Sequence, residues 1–163
     1  MNVSAEDWIE KLGLHPHPEG GWFREAYRSH ELIDQDALPE RFDGSRTFST
    51  AIYFLLMAGE ISRLHIIRQD EVWHFYDGDP LRLHRITPEG EHTEHLVGRS
   101  GDARPIAVAP AGDCFGAEVA GNGYSLVGCT VAPGFDYADW QMPSRDELYQ
   151  RFPQHGELIQ RLT

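Results

Sequence analysis

Cysteine and basic residues are scarce in this chain of 163 residues. The two cysteines, Cys114 and Cys129, are too few for a disulfide framework and lack the spacing of a metal site. We therefore expect both thiols to be reduced and buried. Only 14 basic residues stand against 26 acidic ones, which gives a formal net charge of −12. That charge disfavours binding to nucleic acid polymers and to anionic membranes.

Long apolar runs are also absent from the sequence. No run approaches the roughly 20 residues that a helix needs to cross a bilayer, and the first residues, MNVSAEDWIEKLG, are acidic and lack a positively charged leader. These features predict a cytoplasmic protein without membrane association. The length is that of one ordinary domain, so we expect a single domain over residues 1–163 whose core forms without disulfides or metal.

Short β-type runs follow Gly20, and turn sequences such as Pro88-Glu89-Gly90 separate several of them. This pattern predicts an all-β fold, an antiparallel double-sheet jelly roll. Serine followed by an acidic residue three positions later predicts short helices at both ends of the chain. The polar residues 30–45 have no apolar period and are predicted to form a mobile loop. The expected strands are residues 22–28, 48–57, 61–67, 72–76, 81–87, 91–97, 106–108, 114–119 and 124–131, and the expected helices begin at Ser4 and Ser144, with a last one over residues 157–162.

The most informative segment is GEISRLHIIRQDEVWHFYDG, residues 59–78. Five residues separate Gly59 from His65, five separate His65 from Glu71, and six separate Glu71 from Gly78. This spacing resembles the first motif of the cupin superfamily. The sequence Pro110-Ala111-Gly112 resembles the turn of the second cupin motif. The resemblance implies a cupin barrel with His65 and Glu71 directed into its interior.

Metal-binding cupins carry additional histidines at two positions that this chain fills with Ile67 and Phe115. A transition-metal site normally uses three or four protein ligands, and only His65 and Glu71 remain at matching positions. We therefore expect no bound metal and no cofactor. The alternative is a metal held by His65 and Glu71 together with a third ligand that the motif does not reveal.

Four segments occur in an order that resembles the cupin-5 family, a set of small proteins long described as a domain of unknown function. The resemblance covers nearly the whole chain. It implies homodimers, and we expect an early strand, near residues 22–28, to extend the sheet of the partner. The segments are HPHPEGGWFREAYRS (15–29), TAIYFLL (50–56), DEVWHFYDGDPL (70–81) and SLVGCTVAPGFDYAD (125–139).

Strand alternation predicts a pocket around His65. It places Arg63 and His65 on one face of their strand, and Glu71, Trp73 and Phe75 in a second row beside them. A few polar groups on an aromatic lining are typical of small-molecule sites. The predicted catalytic residues are His65 and Glu71, and the predicted ligand-binding residues are Arg63, Trp73, Phe75, Tyr53 and Phe115.

A carboxylate beside a histidine can orient the ring and make it a general base near neutral pH. Sugar-nucleotide 3,5-epimerases of the same superfamily use such a base on a strand similar to residues 62–65, together with a tyrosine acid. By this resemblance His65 is the predicted base of a metal-independent epimerase or isomerase of a sugar or sugar nucleotide. Candidate acids are Tyr53, Tyr124 and Tyr137. The alternatives are a noncatalytic module that binds a nucleotide or sugar, and a buried His-Glu pair that only shapes the core.

Several other residues have more than one interpretation. His15 and His17 have metal-like spacing, but the prolines beside them favour a rigid structural segment. The aromatic residues Phe135, Tyr137 and Trp140 are expected to cover one end of the barrel, with a pocket lid as the alternative. A solvated hairpin face is expected to carry three histidines, His84, His92 and His95.

Overall fold

A computed structural model describes residues 3–163, and antiparallel strands form most of its regular structure. Each of the predicted strands corresponds to one observed strand, and the two predicted terminal helical regions are present. The strands are β1 (His15–Pro16), β2 (Trp22–Arg28), β3 (Leu32–Ile33), β4 (Arg46–Thr47), β5 (Thr50–Met57), β6 (Ile61–Ile66), β7 (Asp70–Gly78), β8 (Leu81–Ile86), β9 (His92–Val97), β10 (Ile106–Ala109), β11 (Cys114–Val119) and β12 (Tyr124–Ala132), and the helices are α1 (Ala5–Leu12), α2 (Arg145–Arg151) and α3 (Gly156–Arg161).

Two antiparallel sheets form the body of the fold. One has six strands in the order β1-β2-β5-β12-β7-β10, and the other has four in the order β6-β11-β8-β9. Strand alternation sends apolar side chains of both sheets into one core, where Phe54 and Trp73 of the first sheet meet Leu83 and Phe115 of the second. The chain therefore forms the antiparallel double-sheet fold that its sequence predicts.

The helices cover the outer faces of the two sheets. Helix α1 begins at Ser4 with a capping box and packs Trp8 and Leu12 against Leu55 of β5. Helices α2 and α3 bury Leu148 and Ile159 against the four-stranded sheet. Among residues 3–163, no helix has the length and apolar character needed to span a membrane.

Strand β6 contains a bulge that decides which of its side chains face the core. Its pairing with β11 aligns His65 with Phe115, but after the bulge Ser62 aligns with Ala117, so two residues of β6 lie opposite one of β11. The alternation therefore changes phase between Ser62 and His65. Both of these side chains are buried, whereas Arg63 is exposed.

Backbone contacts hold the β6 bulge in place. The N–H of Arg63 donates to the carbonyl of Glu19 (2.8 Å), and the N–H of Leu64 donates to the carbonyl of Leu162 (3.0 Å). Gly116 lies opposite the bulge, where a Cβ atom would lie 2.7 Å from the carbonyl oxygen of Ser62. A residue without a side chain is therefore needed at this point of β11.

The predicted mobile loop, residues 30–45, has more structure than its composition indicates. It contains β3, which pairs with β4, and a short 3-10 helix at Gln35–Ala37. The side chain of Phe42 is only 2% exposed. One buried aromatic residue, rather than a periodic apolar face, thus holds the segment, and the guanidinium of Arg46 lies over the ring of Phe42.

Strand β2 has an open edge. On that side β1 pairs only with Trp22 and Phe23, and residues 24–28 are exposed. We expect the chain to form a homodimer through this edge, because an unpaired strand edge presents free backbone donors and acceptors. Sedimentation at micromolar concentration checks this, and Tyr27→Glu on β2 is expected to yield monomers. Ile106→Glu, on the strand at the opposite edge of the same sheet, is the matched control; monomers from this variant alone would place the interface elsewhere.

Candidate functional site

A cavity of about 360 Å³ opens between the two sheets. Aromatic side chains form much of its wall, and exposed residues of β2 and of the segment after β12 form its mouth. The aromatic lining residues are Phe23, Phe54, Trp73, Phe135, Tyr137 and Trp140, and the polar ones are His17, Glu19, Glu25, Arg28, Thr50, His65, Glu71 and Asp136.

His65 is held at both ring nitrogens. Its Nδ1 lies 2.6 Å from the carbonyl oxygen of Arg63, and its Nε2 lies 3.2 Å from Oε2 of Glu19. The ring is 2% exposed and its centre lies 4.2 Å from that of Phe115. Because both nitrogens face oxygen acceptors, the ring can donate from each of them when it carries both protons. The predicted partner of His65 was Glu71, and this is corrected: the carboxylate beside the ring belongs to Glu19.

Glu19 is positioned by a dense set of contacts. The hydroxyl of Ser62 donates to its Oε1 (3.2 Å), and the indole N–H of Trp140 donates to its Oε2 (3.3 Å). The next residue, Gly20, has φ 107°, and a Cβ atom there would lie 2.0 Å from the carbonyl oxygen of Ile61. Glycine thus lets the backbone carrying Glu19 approach the start of β6 closely.

Sequence reasoning missed Glu19, because the HPHPEGG run was interpreted as a rigid structural segment. That interpretation describes the backbone correctly, since Nδ1 of His17 accepts the N–H of Glu19 at 3.1 Å. One signal in the sequence could have revealed it. Glu19 stands between a proline and two glycines, Gly20 and Gly21, and both glycines adopt positive φ. His15 and His17 do not act as a pair: His17 lines the cavity, whereas His15 is exposed on β1.

Glu71 lies in the same cavity and is 8% exposed. Within residues 3–163 no basic side chain forms an ion pair with it. Burial, together with the negative charge of Glu19, raises the pKa of Glu71 to about 8. Burial and the proximity of Glu71 also raise the pKa of the Cys129 thiol well above its usual value. At neutral pH Glu71 is therefore a neutral carboxylic acid beside an unreactive thiol.

The raised pKa of Glu71 predicts a pH-dependent stability. Unfolding returns the carboxyl to its ordinary pKa of 4.5, so between pH 4.5 and about 8 the folded chain holds the extra proton. The free energy of unfolding should therefore fall as the pH rises through this window. Glu71→Gln removes this titrating group. The free energy of unfolding of the variant, measured with urea, should therefore increase relative to that of the native chain as the pH rises. Glu25→Gln, at the exposed mouth, is the control; a pH-independent difference for Glu71→Gln would contradict the assignment.

Several predicted ligand-binding residues lie elsewhere. The β6 bulge turns Arg63 outward, where it lines a separate groove with Arg145. Tyr53 lies on the face of β5 that packs against α1. Phe75 and Phe115 are core residues rather than lining residues, although the ring of Phe115 supports His65. Trp73 does line the cavity, as the alternation of β7 predicts.

Of the three candidate tyrosines, Tyr137 alone lines the cavity. The hydroxyl of Tyr124 donates to Asp77 (2.7 Å) near helix α1, away from His65. Partial burial and the carboxylates of Glu19 and Glu25 raise the pKa of Tyr137, so its hydroxyl keeps its proton at neutral pH. The segment expected to cover one end of the fold therefore contributes to the site itself.

The predicted solvated histidine face is corrected for His84 only, because His92 is exposed and His95 is half-buried on β9. His84 is 1% exposed, and its Nε2 lies 3.1 Å from Oε1 of Glu118. Its Nδ1 lies 3.1 Å from Nε2 of His92. Both nitrogens of His84 therefore have partners within the fold, although the edge strand β9 beside it is exposed at His92. His84 and Glu118 thus form a second pair of a buried histidine and a carboxylate, and this pair lies outside the cavity.

The donor groups do not fit a metal ion. Over residues 3–163, no three or more His, Cys, Asp or Glu side chains are arranged to hold one. Ile67 lines the cavity at one ligand position of the cupin motif, and Phe115 fills another. The Nε2 of His65, which would have to face the ion, faces Glu19 instead. Transition metals normally require three or four protein ligands.

Elemental analysis tests this directly. Protein purified without added metal is expected to contain well under one transition-metal ion per chain, because Ile67 and Phe115 cannot act as ligands. Near-stoichiometric zinc, iron, nickel or manganese that disappears in His65→Ala would overturn the expectation. His84→Ala is the control, since it removes an equally buried histidine outside the cavity.

Comparisons with known proteins agree with this architecture. The family Cupin_5, described as cupin superfamily (DUF985), matches residues 6–143. A crystal structure of a Shewanella oneidensis protein is 38% identical, with a TM-score of 0.89 over 98% of this chain and 97% of that one. A hypothetical protein from Leishmania major is 35% identical, with a TM-score of 0.90 over 98% of each chain. Oxalate decarboxylase from Lactobacillus farciminis, 15% identical with a TM-score of 0.55 over 92% of this chain and 41% of that one, shares the fold alone. No protein of curated function matched significantly.

Proposed function

The chain belongs to the Cupin_5 (DUF985) family of the cupin superfamily, and on this basis we propose that its cavity binds a small polar ligand of sugar type and catalyses proton transfer next to a carbonyl group. This is the chemistry of a metal-independent epimerase or isomerase. The observation that supports it most is the Glu19–His65 pair, a charged group and an imidazole that line an aromatic cavity together with Tyr137.

His65 is the proposed base. Its Nδ1–H is fixed on the carbonyl of Arg63, which leaves Nε2 as the nitrogen that exchanges a proton with the ligand. Neutral His65 takes the proton from the carbon next to the carbonyl and becomes an imidazolium. The carboxylate of Glu19, 3.2 Å from Nε2, stabilises that positive charge. Glu19 thus has the supporting role that the sequence assigned to Glu71.

Tyr137 is the proposed hydrogen-bond donor to the substrate. As the carbon loses its proton, negative charge develops on the carbonyl oxygen, and a protonated phenol can stabilise it. Return of the proton from His65 to the neighbouring carbon gives an isomer. An epimer forms when the planar intermediate takes a proton from water on its opposite face, after which His65 releases its own proton to the solvent. No atom is gained or lost, so no further reactant is needed.

The charges at the cavity favour an unphosphorylated ligand over a sugar nucleotide. Arg28 is the one arginine or lysine in the lining, and its guanidinium binds the carboxylate of Glu25 (3.0 and 2.8 Å) and the carbonyl of Phe135. The other mouth and wall groups include three further carboxyls, from Glu19, Glu71 and Asp136. Phosphate binding usually needs available arginine or lysine donors, so the lining offers little to a diphosphate.

Exchange of substrate protons with deuterated water tests the proposal. Unphosphorylated aldoses and ketoses, and keto-sugar nucleotides for comparison, are incubated with the protein in deuterated water. Deuterium at the carbon next to the carbonyl is measured by NMR. We expect exchange with at least one unphosphorylated sugar and its loss in His65→Ala. Absence of exchange across both sets of compounds would refute the catalytic proposal.

A noncatalytic sugar-binding module is the second candidate. Both nitrogens of His65 are already engaged by protein oxygens, and both nitrogens of the buried His84 are likewise engaged, by Glu118 and by the ring of His92. A ring held in this way can serve as a fixed wall of a binding site. Calorimetry distinguishes the two: binding of a sugar without proton exchange, retained in His65→Ala, favours the module.

A further inference from the structure

The proposed reaction leaves one buried group in the cavity unused. Glu71 is more than nine-tenths buried, lines the cavity, and has no cationic partner within residues 3–163. The lining groups that can carry a positive charge are paired with other carboxylates: His17 and His65 with Glu19, and Arg28 with Glu25. A buried carboxyl normally has a cation or several hydrogen bonds as partners. Glu71 has a side-chain hydrogen bond with the thiol of Cys129 but no cation, which leaves the carboxyl available to a partner that arrives with the ligand.

The walls around Glu71 suit a positive charge as well. Trp73 and Phe54 meet at 84° with ring centres 5.8 Å apart, and Tyr137 and Trp140 meet at 88° with the same spacing. Rings at right angles form corners that present both faces and edges. Ring faces attract cations, and cages of this kind recognise ammonium groups.

The mouth adds a further preference for cations. Glu25 and Asp136 lie there with Arg28, whose charge Glu25 already balances. The formal net charge of the whole chain is −12. Such a field raises the local concentration of cationic ligands and repels anionic ones.

We infer that the ligand of this cavity carries a positively charged nitrogen, as an amino sugar or an amine of similar size does, and that this nitrogen binds against Glu71 among the aromatic walls. The inference rests on the proposed function only in using the same cavity as the ligand site. Glu71 then determines specificity, whereas His65 with Glu19 remains the base.

The protonation of Glu71 links binding to pH. Its pKa of about 8 means that an arriving cation favours release of the carboxyl proton. Binding should therefore release up to one proton per chain at neutral pH and should tighten as the pH rises towards 8. The titratable and charged groups that face Glu71 or the mouth, and that could add their own pH dependence, are His17, Glu19, Glu25, Arg28, His65, Cys129, Asp136 and Tyr137.

Calorimetry with two matched pairs of probes tests the inference. Choline is compared with the uncharged 3,3-dimethylbutan-1-ol, and glucosamine with glucose. We expect the cationic member of at least one pair to bind about tenfold more tightly or better, a difference of about 1.4 kcal/mol. Titrations in buffers with different ionisation enthalpies should reveal the released proton. Glu71→Gln should abolish both the preference and the proton release, and Glu118→Gln, outside the cavity, should change neither.

Each result decides between the alternatives. Equal or tighter binding of the uncharged members, a preference that survives Glu71→Gln, or no binding of any probe overturns the inference. The exchange experiment is read separately. Exchange that depends on His65 without a cation preference rejects the inference and leaves the proposed reaction in place. A cation preference that depends on Glu71, without any proton exchange, supports the inference and rejects the proposed reaction.

Discussion

Replacing Glu19 with glutamine is expected to lower the rate of substrate proton exchange by about a hundredfold or more, because general-base catalysis typically contributes 10²–10⁴-fold. The amide has nearly the same shape as the carboxylate. Its oxygen can accept from the indole of Trp140, and its NH2 group can donate to the hydroxyl of Ser62. It lacks the negative charge that stabilises the imidazolium of His65. Deuterium incorporation measured by NMR gives the rate, and calorimetry with the same sugar should give a similar affinity for both proteins.

The pair of His84 and Glu118 provides a control outside the cavity; its histidine is buried, and Glu118 is partly exposed and also pairs with Arg161. Glu118 lies 3.1 Å from Nε2 of His84, nearly the same distance as Glu19 from Nε2 of His65, but outside the cavity. Glu118→Gln should therefore leave the exchange rate unchanged. Urea unfolding of Glu19→Gln separates the loss of support for the imidazolium of His65 from loss of the fold. An unaltered rate in folded Glu19→Gln would remove Glu19 from the proposed mechanism.

The periodicity of the sequence was sufficient to predict the strands and part of the site. Alternation along β7 correctly places Glu71 and Trp73 on the cavity side, and the spacing of the first cupin motif places His65 opposite them. These relations are local, since each depends on residues of one strand or of two adjacent strands. A period of two residues is reliable as long as the ladder is regular.

Arg63 was misplaced because the ladder is irregular at that point. A bulge in β6 inserts one residue and reverses the facing of the side chains on one side of it. The only trace in the sequence is Gly116 on the neighbouring strand, and a glycine inside a strand has several explanations. Glu19 was missed for a different reason: it reaches His65 from a segment far away in sequence, whose docking depends on the close approach of Gly20 to Ile61.

Long-range ionic contacts were equally beyond reach from the sequence. Arg46 and Asp139 are 93 positions apart, yet they form a bidentate pair with two N–O distances of 2.7 Å. Their side chains are 5% and 0% exposed. Neither has a sequence neighbour that predicts the other. The pair joins the segment around β4 to the residues just before Trp140, which donates to Glu19.

Arg46→Ala is expected to lower the free energy of unfolding by about 3–5 kcal/mol, because it leaves the carboxylate of Asp139 buried without its main counter-charge. Gln69 would remain as a neutral donor (2.7 Å), and Arg68, 3.7 Å away, could compensate only in part since it is 31% exposed. Urea unfolding at neutral pH measures the change.

Two further variants show whether the cost of Arg46→Ala arises from the buried charge of Asp139. Arg82→Ala breaks a more exposed ion pair with Glu94 on the other sheet, and it should cost no more than about 1 kcal/mol. The double replacement Arg46→Met with Asp139→Leu removes both charges and should recover much of the loss, because the penalty arises from the uncompensated charge rather than from the missing attraction. If Arg46→Ala costs as little as Arg82→Ala, Asp139 is solvated or protonated in the folded chain. The segment before Trp140 is then held by its apolar contacts instead.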